Sequence, residues 1–216
     1  MYNTPFKHWL PIAGMIAASV SGLAHALPPT TIPDITLNVA GSTIQDNYFL
    51  KYLNQVCKTG TLDTYRDGDA VGAGTYYKAF FCTIDSGKLL GLQIQNPNLL
   101  ILKRNRSGAI TGVYPLLEPS KKINMMGINN VVADSGVQCT ESTPGSKSWT
   151  CRTDRPGDLI QLVPDMGVSD IDPQIFRGIN YNPSIDANTY LEPTPAIIAQ
   201  NLTVASAGAV VQGLSL

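Results

Sequence analysis

Histidine is almost absent from this chain: His8 and His25 are its two histidines, and none occurs after position 25. Beyond that point every mechanism that needs an imidazole is excluded, including Ser-His-Asp and Cys-His nucleophiles and histidine-rich zinc sites. Acid or base chemistry near neutral pH would fall to carboxylates, lysines or tyrosines with displaced pKa values. The sequence also lacks a CxxC pair, a GxSxG elbow and an SxxK motif, so common zinc and serine-hydrolase signatures are missing. Charged residues make up 14% of the chain, 15 basic against 16 acidic, with no run of lysine or arginine. Nucleic acid and anionic membrane surfaces are therefore not expected partners. An enzyme is the least expected reading, and no metal or cofactor is expected.

What is present begins with an export signal. Lys7 and His8 precede an apolar stretch from Trp9 to Val20, and Ala24-His25-Ala26 forms a small-x-small cleavage site. Residues 1–26 read as a signal peptide, with a mature chain starting at Leu27 in the periplasm or outside the cell. Pro11, Ser19, Ser21 and Gly22 interrupt the stretch, which falls short of the ~20 apolar residues that a bilayer crossing needs. Loss of Lys7 takes the formal net charge from -1 to -2. The segment 27–216 suits a single domain, and a hydrophobic content of 44% can supply its core.

Cys57, Cys82, Cys139 and Cys151 all lie in the exported part, and an even count in an oxidising compartment favours two disulfides. Of the possible pairings, Cys57 with Cys82 and Cys139 with Cys151 is expected, because the second pair brackets the turn-rich segment 140–147. That segment reads as a hairpin tip, with Ser148-Trp149-Thr150 as its returning arm. A metal held by four thiolates is the alternative.

Along the chain, the run Ile35 to Ala40 predicts a strand that meets Gly41-Ser42-Thr43 and then a helix. Ser42 suits the N-cap and Gln45 completes a capping box. Ile44, Tyr48, Phe49, Tyr52, Leu53 and Val56 recur at helical spacing, closed by Gly60. A helix start behind a small-residue turn offers N–H groups and partial positive charge to an anion; the plainer alternative is an ordinary cap. Segments 61–65 and 76–84 predict strands around a loop, and 89–94 fits either strand or helix. Leu99 to Arg104 is a compact apolar run, as expected for a strand covered on both faces. It runs into Asn105-Arg106-Ser107-Gly108, then Gly112 to Leu117, read as a strand with a turn before a short helix. A third instance lies at Met166 to Asp172, where a short apolar strand, Leu159 to Val163 or Val168 itself, precedes Ser169-Asp170 and a helix from about Pro173 to Phe176. Residues 121–155 read as an excursion from the sheet, and 202–206 and 209–216 as two late strands. The expected class is α/β, a mainly parallel sheet flanked by helices.

In their order, the blocks Ala40-Gly41-Ser42-Thr43, Leu102 to Gly108 leading to Gly112-Val113, and Gly167 to Pro173 resemble periplasmic solute-binding proteins of the type II, phosphate-binding-like class. The resemblance implies two α/β lobes joined by crossing strands, a ligand held in the cleft, and its transfer to an inner-membrane transporter. Carried onto this chain, it makes Ser42, Thr43, Ser107, Gly108 and Ser169 hydroxyl and N–H donors to a phosphate-like oxyanion. Asp170 would accept a ligand proton, with helix capping as the alternative. Arg104 and Arg106 would suit a carboxylate or phosphate by bidentate contact, or form a solvated turn. The chain is shorter than two-lobed members, so the expectation is a first lobe plus crossover, with the second lobe absent or encoded separately. The expected function is to hold a small anionic solute for uptake. The alternative is a secreted interaction module with an inherited fold and no small ligand.

Overall fold

The computed structural model describes residues 31–68, 76–89, 91–128, 139–155 and 157–203. The predicted signal peptide 1–26 and late strand 209–216 lie outside them, as does 202–206 beyond its first two residues. In chain order the elements are β1 (Ile35–Gly41), α1 (Asp46–Val56), β2 (Asp63–Asp67), β3 (Tyr77–Thr83) and β4 (Asn98–Arg104), followed by a 3-10 turn at Gly108–Gly112 and α2 (Tyr114–Leu117). Next come β5 (Ile123–Met126), β6 (Cys139–Glu141), β7 (Ser148–Cys151), β8 (Leu159–Leu162) and β9 (Met166–Val168). Two 3-10 turns, Pro173–Ile175 and Gly178–Asn180, precede β10 (Ser184–Ile185), β11 (Asn188–Thr189) and α3 (Pro195–Asn201).

Seven strands form one sheet in the order β6-β7-β2-β3-β4-β1-β9. The α/β class is observed, but the mainly parallel sheet is corrected to a mixed one. Pairs β1 with β4, β1 with β9 and β2 with β7 are parallel, whereas β2 with β3, β3 with β4 and β6 with β7 are antiparallel. Each antiparallel pair joins strands that are consecutive in the chain, and no helix lies between their members among the described residues.

The sheet is covered on both faces, which explains why β4 reads as an unbroken apolar run. One face packs Tyr65, Tyr77, Phe81, Leu100 and Leu102 against Tyr114, Met125, Tyr190 and Ile198. The other packs Val39, Phe80 and Ile101 against Leu53 and Val56 of α1. Helix α1 starts at Asp46, four residues after the predicted cap, and Gln45 makes no capping bond. Ser42 instead closes a local turn, its hydroxyl accepting from the Ile44 N–H at 3.3 Å. Tyr48 and Tyr52, placed on the apolar stripe by spacing, are exposed because the sheet contacts the Leu53 and Val56 side.

Other differences follow from the same sheet order. Residues 112–117 hold no strand, since the chain turns straight into α2 behind β4. Segment 89–94 is neither strand nor helix at its described residues. The stretch 121–155 does not leave the sheet throughout: β7 pairs with β2 and β6 with β7, while β5 pairs with β8 in a separate ribbon. Both disulfides form in the expected pairing, with Cα atoms 6.0 Å apart for Cys57–Cys82 and 4.0 Å for Cys139–Cys151. No free cysteine remains among the described residues, so the four-thiolate alternative falls.

Candidate functional site

Strands β1, β4 and β9 run in one direction, with Ala40 opposite Arg104 and Gly41 opposite Val168. Their carboxyl ends therefore share one edge, the position where open α/β sheets place ligands. Close approach demands glycine there. A Cβ on Gly41, at φ 125°, would sit 1.8 Å from the Val168 carbonyl oxygen, and one on Gly167 would sit 1.8 Å from that of Gly112. The turns carrying Ser42 and Thr43, Ser107 and Gly108, and Ser169 and Asp170 thus lie along that edge.

Their donors, however, are largely engaged. The Ser42 N–H donates to the Val168 carbonyl at 2.9 Å. Ser169 donates its hydroxyl to the Ile171 carbonyl at 2.5 Å and accepts from the Ile171 N–H. Asp170 is exposed and does not cap the following turn; Asp172 does, accepting from the Gln174 N–H at 2.9 Å. Thr43 is exposed, Arg106 lies over the Tyr76 ring, and Ser107 and Gly108 take left-handed backbone.

The start of α1 holds a carboxylate of its own. Asp46, the first helical residue, is buried, with Lys78 Nζ at 2.6 Å, Lys103 Nζ at 3.1 Å and Asn105 Nδ2 at 2.8 Å. Lys103 is fully covered and also donates to the Ser42 carbonyl at 2.8 Å and to the Asn105 side-chain oxygen. Burial lowers the Lys103 pKa, and Asp46 pulls it back up. The site that an external anion would take at this helix start is filled from within the chain.

On the other face, Arg104 is equally buried and is not a solvated turn residue. It grips Asp186 with two hydrogen bonds of 2.9 and 3.1 Å and donates to the Asn124 carbonyl at 2.9 Å. This ties the β10–β11 hairpin to the sheet.

Cross-strand register adds what residue spacing does not reveal. Lys103 pairs with Lys78, Lys78 with Arg66, and Arg66 with Thr150. Three cations thus stand in one row on the α1 face, near the carboxyl ends of β2 and β4, with Asp46 as the carboxylate set over them. Between α1 and β7 this row borders a depression of about 210 Å³ that includes Asp46, Asn47, Arg66, Lys78 and Ser148. A second depression of about 270 Å³ adjoins it through Leu50 and Thr64 and runs to Lys147. Sequence reading missed Asp46, Lys103, Lys78, Arg66 and Asp186. A lysine ending an apolar run was the available signal, for such a residue must find a partner when covered on both faces.

Among the described residues, no cluster of three or more His, Cys, Asp or Glu could hold a metal, and no helix is long and apolar enough to cross a membrane. No protein-family profile matches the chain, and no curated protein or solved structure shows significant similarity to it.

Proposed function

We propose that this chain is an exported binding protein, not an enzyme, that holds a small anionic solute near the carboxyl edge of its sheet. The observation that carries this reading is the row of Arg66, Lys78 and Lys103 on one face of that edge, set, among the described residues, against the carboxylate of Asp46. Export to the periplasm or beyond the cell is supported by the two disulfides, which persist in oxidising compartments. The common edge of β1, β4 and β9 agrees with a type II binding-protein lobe that takes a phosphate-like oxyanion and passes it to a membrane transporter. Equilibrium dialysis of the folded chain against radiolabelled phosphate, sulfate and small carboxylates tests the reading. Saturable uptake of at least one is expected; no uptake of any would remove it.

An interaction module without a small ligand is the second reading, favoured by the exposed apolar side chains of Ile171, Ile175, Ile179 and Leu191 in the segment that follows edge strand β9. The Gly178 N–H donates to Glu192, which brings Ile179 close to Leu191. A partner on that surface would protect these residues from solvent labelling, whereas a solute at the cation row would leave them unchanged.

A further inference from the structure

We infer that the anionic group of the ligand sits in the groove between α1 and β7, gripped by Arg66 and Lys78, and not in the small-residue turn at Ser42. The inference rests on the solute-binding reading and names its seat and ligand class. The turn at Ser42 is closed to an anion on two counts: its N–H is taken by Val168, and the Asp46 carboxylate stands at the helix start behind it. An oxyanion there would face like charge at short range in a covered site, where repulsion is strong.

The groove includes Asp46 as well, but there the carboxylate is already paired with Lys78 and Lys103, and Arg66 stands on the side away from it. Lys78 and Lys103 share one carboxylate, and Arg66, exposed on the same row, makes no ion pair with a described residue. Among the described residues of this row, three cations face the one carboxylate of Asp46. Arg66 presents a planar fork that can take two oxygens of one group, and Lys78 stands beside it as a point charge. Ser148 and Asn47 line the same hollow with polar groups, and buried Phe80 and exposed Leu50 add apolar ones. The adjoining hollow mixes polar Asn54, Thr64, Ser146 and Lys147 with apolar Leu50 and Leu62.

This architecture suits a carboxylate or phosphoryl group attached to a small hydroxylated body: the charged end at Arg66 and Lys78, the body along α1 toward Ser146. Each hollow is small by the standard of ligand pockets, which limits the occupant to a metabolite-sized molecule. A bare inorganic anion would use the charged end alone and bind more weakly than a ligand that fills both.

Isothermal titration of the full exported chain at low salt separates the possibilities, with gluconate, inorganic phosphate and neutral glucose as probes. The proteins are the wild type, R66Q, R66K and D170N, each checked for fold by circular dichroism. Gluconate is expected to bind, phosphate to bind more weakly and glucose not at all. R66Q should weaken gluconate by about tenfold or more, R66K should keep part of the affinity, and D170N should leave it unchanged. If D170N abolishes binding and R66Q does not, the anion sits at the strand-end turns: the groove is refuted and the solute reading stands. Binding that neither variant weakens also refutes the groove. A folded chain that binds no probe removes both.

Discussion

Lys103 and Arg104 are neighbours in sequence, equally buried, and opposite in consequence. Arg104 points to the face covered by α2 and the tail, where Asp186 meets it in a two-bond pair and the Asn124 carbonyl takes a third bond. That charge is closed. Lys103 points to the α1 face, where its counter-charge Asp46 is shared with Lys78 and stands one strand from Arg66. Lys103 itself is enclosed, but its carboxylate is divided between two cations and Arg66 in the same row has no share of it. The pair teaches that burial alone does not say whether a cation is structural or available; the number of cations competing for each carboxylate does.

The largest break in this comparison should come from the closed side. D186A leaves a guanidinium that cannot lose its proton in a covered site, and should cost about 3–5 kcal/mol in chemical denaturation. D46A should cost less, about 2–3 kcal/mol, because Lys103 keeps the Ser42 and Asn105 oxygens and can shed a proton. The two losses should also differ in pH dependence. With Asp46 gone, the Lys103 pKa in the folded state falls further below its ordinary value of 10.5. The folded protein then binds fewer protons than the unfolded chain, so D46A should regain stability as pH rises toward that value, while D186A should not.

Asp63 sharpens the comparison from the carboxylate side. It is fully buried at the start of β2 beside Trp149, and burial pushes its pKa up to about 7, with Lys147 pulling it down and the like charge of Glu141 adding to the rise. Here the folded state holds the proton more tightly than the unfolded chain. The stability contributed is present in full below 3.8 and is lost as pH rises through about 7. Asp63→Asn should remove that slope and make the protein more stable at pH 8, on the order of 2 kcal/mol. Denaturation midpoints across pH measure both proteins. The smallest effect belongs to Lys78→Met: a partly exposed ion pair is lost while Lys103 still holds Asp46, and the change should stay under about 1 kcal/mol.

Local patterns carried much of the fold. The compact run at 99–104 marked β4, the short run at 35–40 before Gly41 marked β1, and the turn composition at 140–147 marked the hairpin closed by Cys139 and Cys151. Proline at position 173 marked the start of a 3-10 turn, although its cap proved to be Asp172. The candidate site was far less legible. Ser42 followed by Gln45 satisfies a capping pattern, yet the helix begins at Asp46 because the Ser42 N–H is claimed by Val168 across the sheet. The meeting of Arg66, Lys78 and Lys103 depends on β2 inserting between β3 and β7, and that of Arg104 with Asp186 joins residues 82 apart. No periodicity within a segment encodes contacts of that range.

The most direct test of the open and closed assignment is to locate an anion. Crystals of the exported chain soaked with selenate, read by anomalous scattering at the selenium edge, should show the ion between Arg66 and Lys78, with the Arg104 and Asp186 side unoccupied. An anomalous peak at the Ser42, Ser107 or Ser169 turns, and none at Arg66, would contradict the account.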